Sequence, residues 1–248
     1  MHTAIIDTEK LLGTHPVELT GDDFHHFKTV LHISQGENIR LTDGRGNQRK
    51  ATVKSVNRNS IICGFCGEVE TLPPLQPEVT LFQCIAKSGR MDWLVEKAQE
   101  VGVARIVPIV SERTVVRMKA GSEQGRWKRV TRSALRQCGG TWLMDIGTVE
   151  SWKSALGLMQ DFDGPILVGA LTEGCVYIGT ALQNMREKGY TGKIGVLIGP
   201  EGDFTESELR EVASLSNSIP VSMGRNVLRV ETAVLFAVAG ILSFLAEQ

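Results

Sequence analysis

Three glycine-bearing segments in the C-terminal half each connect a strand-like run to a helix-like run. They are Val168-Gly169-Ala170-Leu171-Thr172-Glu173-Gly174, Ile198-Gly199-Pro200-Glu201-Gly202-Asp203-Phe204 and Met223-Gly224-Arg225-Asn226-Val227-Leu228-Arg229-Val230-Glu231-Thr232. In open α/β sheets such turns sit at the carboxyl ends of the strands, where ligands bind. None contains the Gly-Lys-Ser/Thr of a phosphate loop, and none is a GxGxxG dinucleotide turn. Glycines at 199, 202 and 224 would let the main chain approach a flat ligand and bond it through the backbone. The third segment also carries a cation, Arg229, and an acid, Glu231, two residues apart. Glu231 fits an acidic residue at a helix N-terminus.

The elements that must hold these turns follow from hydrophobic patterning. Strands are expected at Val79–Ala86, Ala104–Val110, Pro165–Ala170, Lys193–Ile198 and Ile219–Met223. Helices are expected at Ser88–Val101 (Ser88 as N-cap, Gly102 as terminator), Ser122–Cys138, Val176–Lys188, Thr205–Ser216 and Val230–Leu245. Thr205-x-x-Glu208 reads as a capping box. Repeated βα units with continuous apolar strands imply a mostly parallel α/β sheet. The first third reads differently. A short helix over Asp22–Leu31 precedes strands at Asn38–Thr42, Gln48–Val56 and Ser60–Glu70, with a turn at Asp43-Gly44-Arg45-Gly46-Asn47. That pattern suggests a small β-barrel or curled sheet. Pro73, Pro74 and Pro77 stiffen the chain after it, so the expected domains are 1–72 and 73–248.

Charge is unevenly spread. The 248 residues sum to −1, yet residues 81–136 carry +7 and the rest is acidic. A local basic block marks a candidate phosphate-binding surface, while the acidic remainder argues against indiscriminate nucleic-acid binding. With 42% apolar and 22% charged residues, the composition excludes a disordered chain, a collagen-like chain and a disulfide scaffold. The segment from Met1 to Asp7 has neither a basic n-region nor an apolar h-region. The longest apolar stretch, Ala233–Ala246, is 14 residues, short of the ~20 that a spanning helix needs. A cytoplasmic protein is expected. Cys63-Gly64-Phe65-Cys66 lacks partner ligands and lies in a strand, where i and i+3 face opposite ways. The five histidines, all within the first 32 residues, likewise lack ligand spacing. No metal is expected.

The combination of Gly199-Pro200-Glu201-Gly202 with Gly224-Arg225-Asn226-Val227-Leu228-Arg229-Val230-Glu231-Thr232-Ala233 resembles the SPOUT class of methyltransferases. More narrowly it is similar to the RsmE family, which methylates N3 of a uridine in 16S ribosomal RNA. Lys87-Ser88-Gly89-Arg90-Met91-Asp92-Trp93, Ser111-Glu112-Arg113 and Asp43-Gly44-Arg45-Gly46 extend the match over nearly the whole chain. The resemblance implies an α/β trefoil-knotted SPOUT domain behind a PUA-like RNA-binding β-barrel. It implies S-adenosyl-L-methionine held by Leu171, Ile198, Gly199, Pro200, Gly202, Met223, Gly224, Val227, Leu228 and Thr232, with Arg229 and Glu231 catalytic. Lys87, Arg90, Arg113, Arg126, Arg129 and Arg132 are expected to meet RNA. A homodimer is expected too, because the last helix is apolar on nearly every side.

Two departures bear on RNA docking. Val30-Leu31-His32 stands where the family commonly has Val-Leu-Arg. Arg136-Gln137-Cys138-Gly139-Gly140 stands where it often has Glu-Gln-(Ser/Cys)-Gly-Arg. Two rival readings are a non-enzymatic RNA binder and a ribose 2′-O-methyltransferase. The intact cofactor turns speak against the first. The N-terminal layout and the run Val227–Thr232 favour the base over the ribose.

Overall fold

The structure, a computed structural model, describes residues 1–115, 122–170 and 174–245. Leu171 and, in the basic block, Arg117 and Lys119 lie outside the described residues. The chain forms two compact units, Met1–Pro74 with Arg132–Leu143, and Leu75–Thr131 with Met144 to the C-terminus.

The first unit is built from β1 (Thr3–Ile5), α1 (Thr8–Leu12), β2 (Val17–Leu19), α2 (Gly21–His25), β3 (Asn38–Thr42), β4 (Asn47–Val56) and β5 (Ile61–Thr71). Its five strands run in the order β1-β3-β4-β5-β2, antiparallel except for β1 beside β3. Alternation in the strands points Leu41, Ala51, Val53, Ile61 and Cys63 into one core with Phe27. Cys63 is buried and Cys66 exposed, on opposite faces of β5. Burial pushes the Cys63 thiol up to about 11. The expected helix over Asp22–Leu31 is α-helical only to His25. His26–Val30 winds as a wider π turn, and His32 follows with φ 50.

Where the sequence places one boundary at 72/73, the contacts assign Arg132–Leu143 to the first unit. Backbone bonds show why. Gly46 N–H donates to the Thr141 carbonyl (2.9 Å) and Leu143 N–H to the Gly44 carbonyl (2.9 Å), and besides these the Arg40 guanidinium donates to the Gly139 carbonyl (2.7 Å).

The second unit contains β6 (Val79–Cys84), α3 (Ser88–Val101), β7 (Arg105–Val110) and α4 (Ser122–Cys138), whose residues from Arg132 onward group with the first unit. Then come β8 (Asp145–Ile146), β9 (Glu150–Ser151), α5 (Trp152–Gln160), β10 (Ile166–Gly169), β11 (Val176–Tyr177) and α6 (Ile178–Glu187). β12 (Ile194–Ile198), α7 (Glu206–Ala213), β13 (Ser218–Ser222) and α8 (Val230–Leu245) complete it. The strands form a parallel sheet ordered β11-β13-β10-β12-β6-β7-β8, with β9 also on β7. Both ends of the order are strands of two residues. One sheet face packs on α3, α6 and α8, the other on α5 and α7. Burial on both faces explains the unbroken apolar run Ile194–Ile198, buried at every position.

Helix α3 has the expected span, but Lys87 rather than Ser88 takes the cap position. Gly102 ends it at φ 93. The expected helix Val176–Lys188 begins instead as the short strand β11. Helix α8 buries Val234, Ala237, Val238 and Ile241 but exposes Phe236 (41%) and Phe244 (43%). No helix among the described residues is long and apolar enough to cross a membrane.

Gly46 sits at φ 95, and a Cβ there would stand 2.6 Å from Trp142 Cζ2 and 2.7 Å from the Leu72 carbonyl. Gly46→Ala therefore combines backbone strain with overpacking, and should destabilise the first unit by about 2–4 kcal/mol. Gly67→Ala, where a Cβ meets Lys50 at an ordinary 3.5 Å, should be nearly neutral. Urea unfolding of the two variants side by side checks the difference.

Candidate functional site

Strands β13, β10 and β12 are neighbours, and their carboxyl ends meet in register. Gly169 aligns with Ile198 on one side and Val221 on the other. The missing side chain is used: a Cβ on Gly169 would stand 2.8 Å from Ile198 Cδ1 and 3.0 Å from Met223 Cε. Beside this meeting point opens a cavity of about 360 Å³.

The second turn contributes Ile198, Gly199 and Pro200 to its wall, and the third contributes Met223, Gly224, Val227, Leu228 and Arg229. Gly224 has φ 125, a conformation that side chains rarely adopt. At Gly199 a Cβ would press on the Phe204 ring at 3.1 Å. Gly202 and Thr232 are not in the wall, and neither is Glu231. The sequence reading missed Glu201, Asp203, Asn226 and Ala233, which do line it. Glu201, Asp203 and Asn226 belong to the same turns and Ala233 to the first turn of α8, but no residue-type signal marks them.

Arg229 is exposed, and its carbonyl accepts the Ala233 N–H (2.8 Å), the first bond of α8. The first turn of α8, through Val230 and Ala233, is part of the wall, which sets the positive end of the helix dipole at the cavity. Glu231 is half-buried. Its Oε2 is buried without a hydrogen-bond partner, and no ion pair joins it to Arg229 among the described residues.

The basic block is sorted by its partners. Arg90, expected on the RNA surface, lines the cavity and donates to Glu201 Oε1 at 3.0 Å. Burial pushes the Glu201 pKa up, but its own backbone N–H, the Lys87 N–H and Arg90 outweigh burial, and the carboxyl lies below its ordinary value. Arg113 donates to the carbonyls of Gly202 (3.0 Å) and Phe204 (3.3 Å), so its guanidinium holds the second turn from behind. Arg126 is paired with Asp92, and Arg136, the cation added by the second departure, with Asp23. Lys87, Arg129 and Arg132 are exposed, with side chains free of hydrogen bonds and ion pairs among the described residues.

A buried acid completes the frame of the second turn. Glu208, 3% exposed, closes the capping box by accepting the Thr205 N–H at Oε2 (2.8 Å). Its Oε1 accepts the Glu112 N–H, also at 2.8 Å, tying the segment that carries Arg113 to α7. The capping box was legible; the second bond, between residues 96 apart, was not. Among the described residues no group of three or more His, Cys, Asp or Glu is disposed to hold a metal ion.

A parallel sheet with a glycine-walled cavity at its strand ends, preceded by a small β unit, defines a class. Residues 73–242 match the model of an RNA methyltransferase domain, and residues 19–66 that of an RNA methyltransferase PUA domain. A ribosomal RNA small subunit methyltransferase E from Aquifex aeolicus is 30% identical over 225 residues, covering 88% of this chain and 90% of its own. The protein of that name from Bacillus subtilis is 25% identical over 228 residues, covering 90% and 88%. The crystal structure of a ribosomal RNA small subunit methyltransferase E from Neisseria gonorrhoeae, bound to S-adenosyl methionine, superposes with a TM-score of 0.85. It shares 26% identity and covers 99% of this chain and 98% of its own. The chain belongs to the RNA methyltransferase family and, within it, to the RsmE group.

Removing the Glu208 carboxylate leaves the N–H groups of Glu112 and Thr205 without their acceptors. Glu208→Ala should destabilise the second unit by about 2–4 kcal/mol, and Glu208→Gln, which keeps one acceptor oxygen, by roughly half as much. Equilibrium denaturation of the three proteins measures the ranking. Equal stability of Glu208→Ala and the parent would contradict it.

Proposed function

We propose that the protein transfers a methyl group from S-adenosyl-L-methionine to N3 of a uridine in 16S ribosomal RNA of the small subunit. The observation that carries this reading is the cavity itself: apolar side chains and glycine backbone at the ends of three adjacent parallel strands, with charged groups at Arg90, Glu201, Asp203 and Arg229. A flat adenine needs close backbone approach, which the main chain at Ile198, Gly199, Met223, Gly224 and Leu228 allows. Thr232, Gly202 and Leu171 are kept as cofactor contacts on the resemblance alone. When bound, the cofactor supplies an electrophilic methyl on sulfur, open to direct displacement.

The chain's own residues have two tasks. They must align the uracil nitrogen with the methyl group, and they must ease loss of the N3 proton. Arg229, exposed beside the cavity at the N-terminus of α8, stabilises the charge that develops on the uracil ring. Glu231, with one buried oxygen unpartnered, orients Arg229 or receives the proton. Lys87, Arg129 and Arg132 are among the described cations of the basic block whose side chains have no internal partner, and they are assigned to RNA phosphates. Arg90, Arg113 and Arg126 reach RNA only by giving up the partners described above.

The second unit is read as the trefoil-knotted SPOUT domain. In its support, the chain lays β12 between β6 and β10, so late strands enter the interior of an early sheet. Domains at 1–72 and 73–248 are retained as the functional division, with Arg132–Leu143 grouping with the first unit. A ribosomal RNA substrate supports reading the protein as cytoplasmic.

Mapping the methylated atom by mass spectrometry, after incubation with unmethylated small subunits and separately with free 16S RNA, tests the reaction. A methyl found on ribose oxygen would overturn the base assignment. Gly224→Leu puts a side chain where φ is 125 and should abolish cofactor binding in calorimetry while circular dichroism stays unchanged.

The working unit is read as a homodimer, supported by Phe236 and Phe244, large apolar side chains exposed on a helix whose other face buries Val234, Ala237, Val238 and Ile241. Light scattering at micromolar concentration should give twice the 27.1 kDa of one chain. A monomer with full activity at that concentration would remove the dimer from the mechanism.

A further inference from the structure

Arg45 and Trp142, both in the first unit, take no part in the cavity. The turn that carries Arg45 is fixed from within. Asp43 Oδ1 accepts the N–H groups of Arg45 (2.8 Å) and Asn47 (3.2 Å). Its Oδ2 accepts from the Asn47 side-chain amide (2.7 Å) and the Thr8 hydroxyl (3.0 Å). Although burial opposes ionisation, these four bonds hold the Asp43 carboxyl below its ordinary range. Gly44 and Gly46, at φ 71 and 95, let the chain reverse around it.

Onto this turn is laid the segment 141–143. Arg45 and Trp142 form an isolated antiparallel bridge, flanked by the Gly46–Thr141 and Leu143–Gly44 backbone bonds. The indole is fixed in its own plane. Nε1–H donates to the Leu72 carbonyl at 3.0 Å, and the ring rests on the bare backbone of Gly46, where a Cβ would come within 2.8 Å of both Cζ2 and Cε2. Even so, Trp142 remains 39% exposed. Arg45 is exposed as well, and its guanidinium makes no hydrogen bond or ion pair among the described residues. Asp43, its nearest acid in sequence, is consumed by four donors.

We propose that Arg45 and Trp142 form a single-stranded RNA contact, in which the exposed indole stacks one unpaired base and the Arg45 guanidinium meets an adjoining phosphate. An indole already held at its edge and on one side loses little conformational freedom on stacking, and every base offers a π-face. One aromatic ring beside a cation without a counter-ion fits a nucleotide better than it fits a protein hot spot, which needs a wider apolar surface.

The proposal rests on the RNA methyltransferase reading, and the experiment separates the two. Anisotropy titrations use an unstructured RNA of about 12 nucleotides and a duplex of the same length, at several salt concentrations. Trp142→Leu should weaken single-strand binding by about 5- to 100-fold at an unchanged salt slope. Trp142→Phe should retain most of the affinity, since it keeps a stacking face. Arg45→Gln should flatten the log–log salt slope by about 0.7. Duplex binding should be the same in all four proteins. Single-strand binding by Trp142→Leu equal to the parent overturns the proposal, as does an equal loss on duplex. If Trp142→Leu does not fold, an unchanged slope in Arg45→Gln is enough to sink it. Failure of the parent to bind either RNA overturns the RNA reading and the proposal together.

Discussion

Everything at the site depends on one register. β10 runs between β12 and β13, and parallel pairing aligns Gly169 with Ile198 on one side and Val221 on the other, so the second and third turns leave the sheet side by side. Gly169 also leaves room for the tips of its neighbours' side chains: a Cβ there would stand 2.8 Å from Ile198 Cδ1 and 3.0 Å from Met223 Cε. Both atoms end flexible side chains of wall residues, so a larger residue would displace them and reshape the cavity.

Charge in this chain is mostly internal. A +7 block in the sequence suggests a broad cationic face, yet much of it is engaged. Arg113 braces a turn, Arg90 and Arg126 meet carboxylates, Arg136 meets Asp23, and Lys97 lies between Glu96 and Glu100. Exposed pairs of this kind contribute little stability. Their effect is positional: each fixes a side chain that, unpaired, would sample many rotamers. Among the described residues the cations left over include Lys128, Arg129 and Arg132 on α4, a local group that suits shaped contact with an anion rather than a uniform electrostatic surface.

How much of this was legible depends on where the decisive partner lies. Helix α3 was read to its ends because Gly102 forces a stop whatever surrounds it. The Thr205–Glu208 box was read because both partners sit within one turn. Short elements such as Thr3–Ile5, Thr8–Leu12 and Val17–Leu19 were missed, being too brief for any period to show. So was α5, between two-residue strands. Arg90 was read as a surface cation because Glu201, which draws it to the cavity wall, is 111 residues away. The three turns were found from glycine placement, whereas Gly202, Thr232 and Glu231 were assigned from the resemblance, and which side of a turn faces the cavity is set by the backbone path rather than by residue type. The wide turn at His26–Val30 has no sequence signal that we can identify.

The two-residue strands at both ends of the eight-stranded sheet have a consequence for solubility. A parallel sheet this apolar would be a hazard if its outermost ladder were long, since unpaired N–H and C=O groups template the docking of further chains. Here β11 ends the sheet on one side with Val176 and Tyr177 alone, and β8 ends it on the other with Asp145 and Ile146. Neither offers enough ladder to seed cross-β growth. The sheet keeps its most adhesive strands, β10, β12 and β6, in the interior, where every backbone group already has a neighbour.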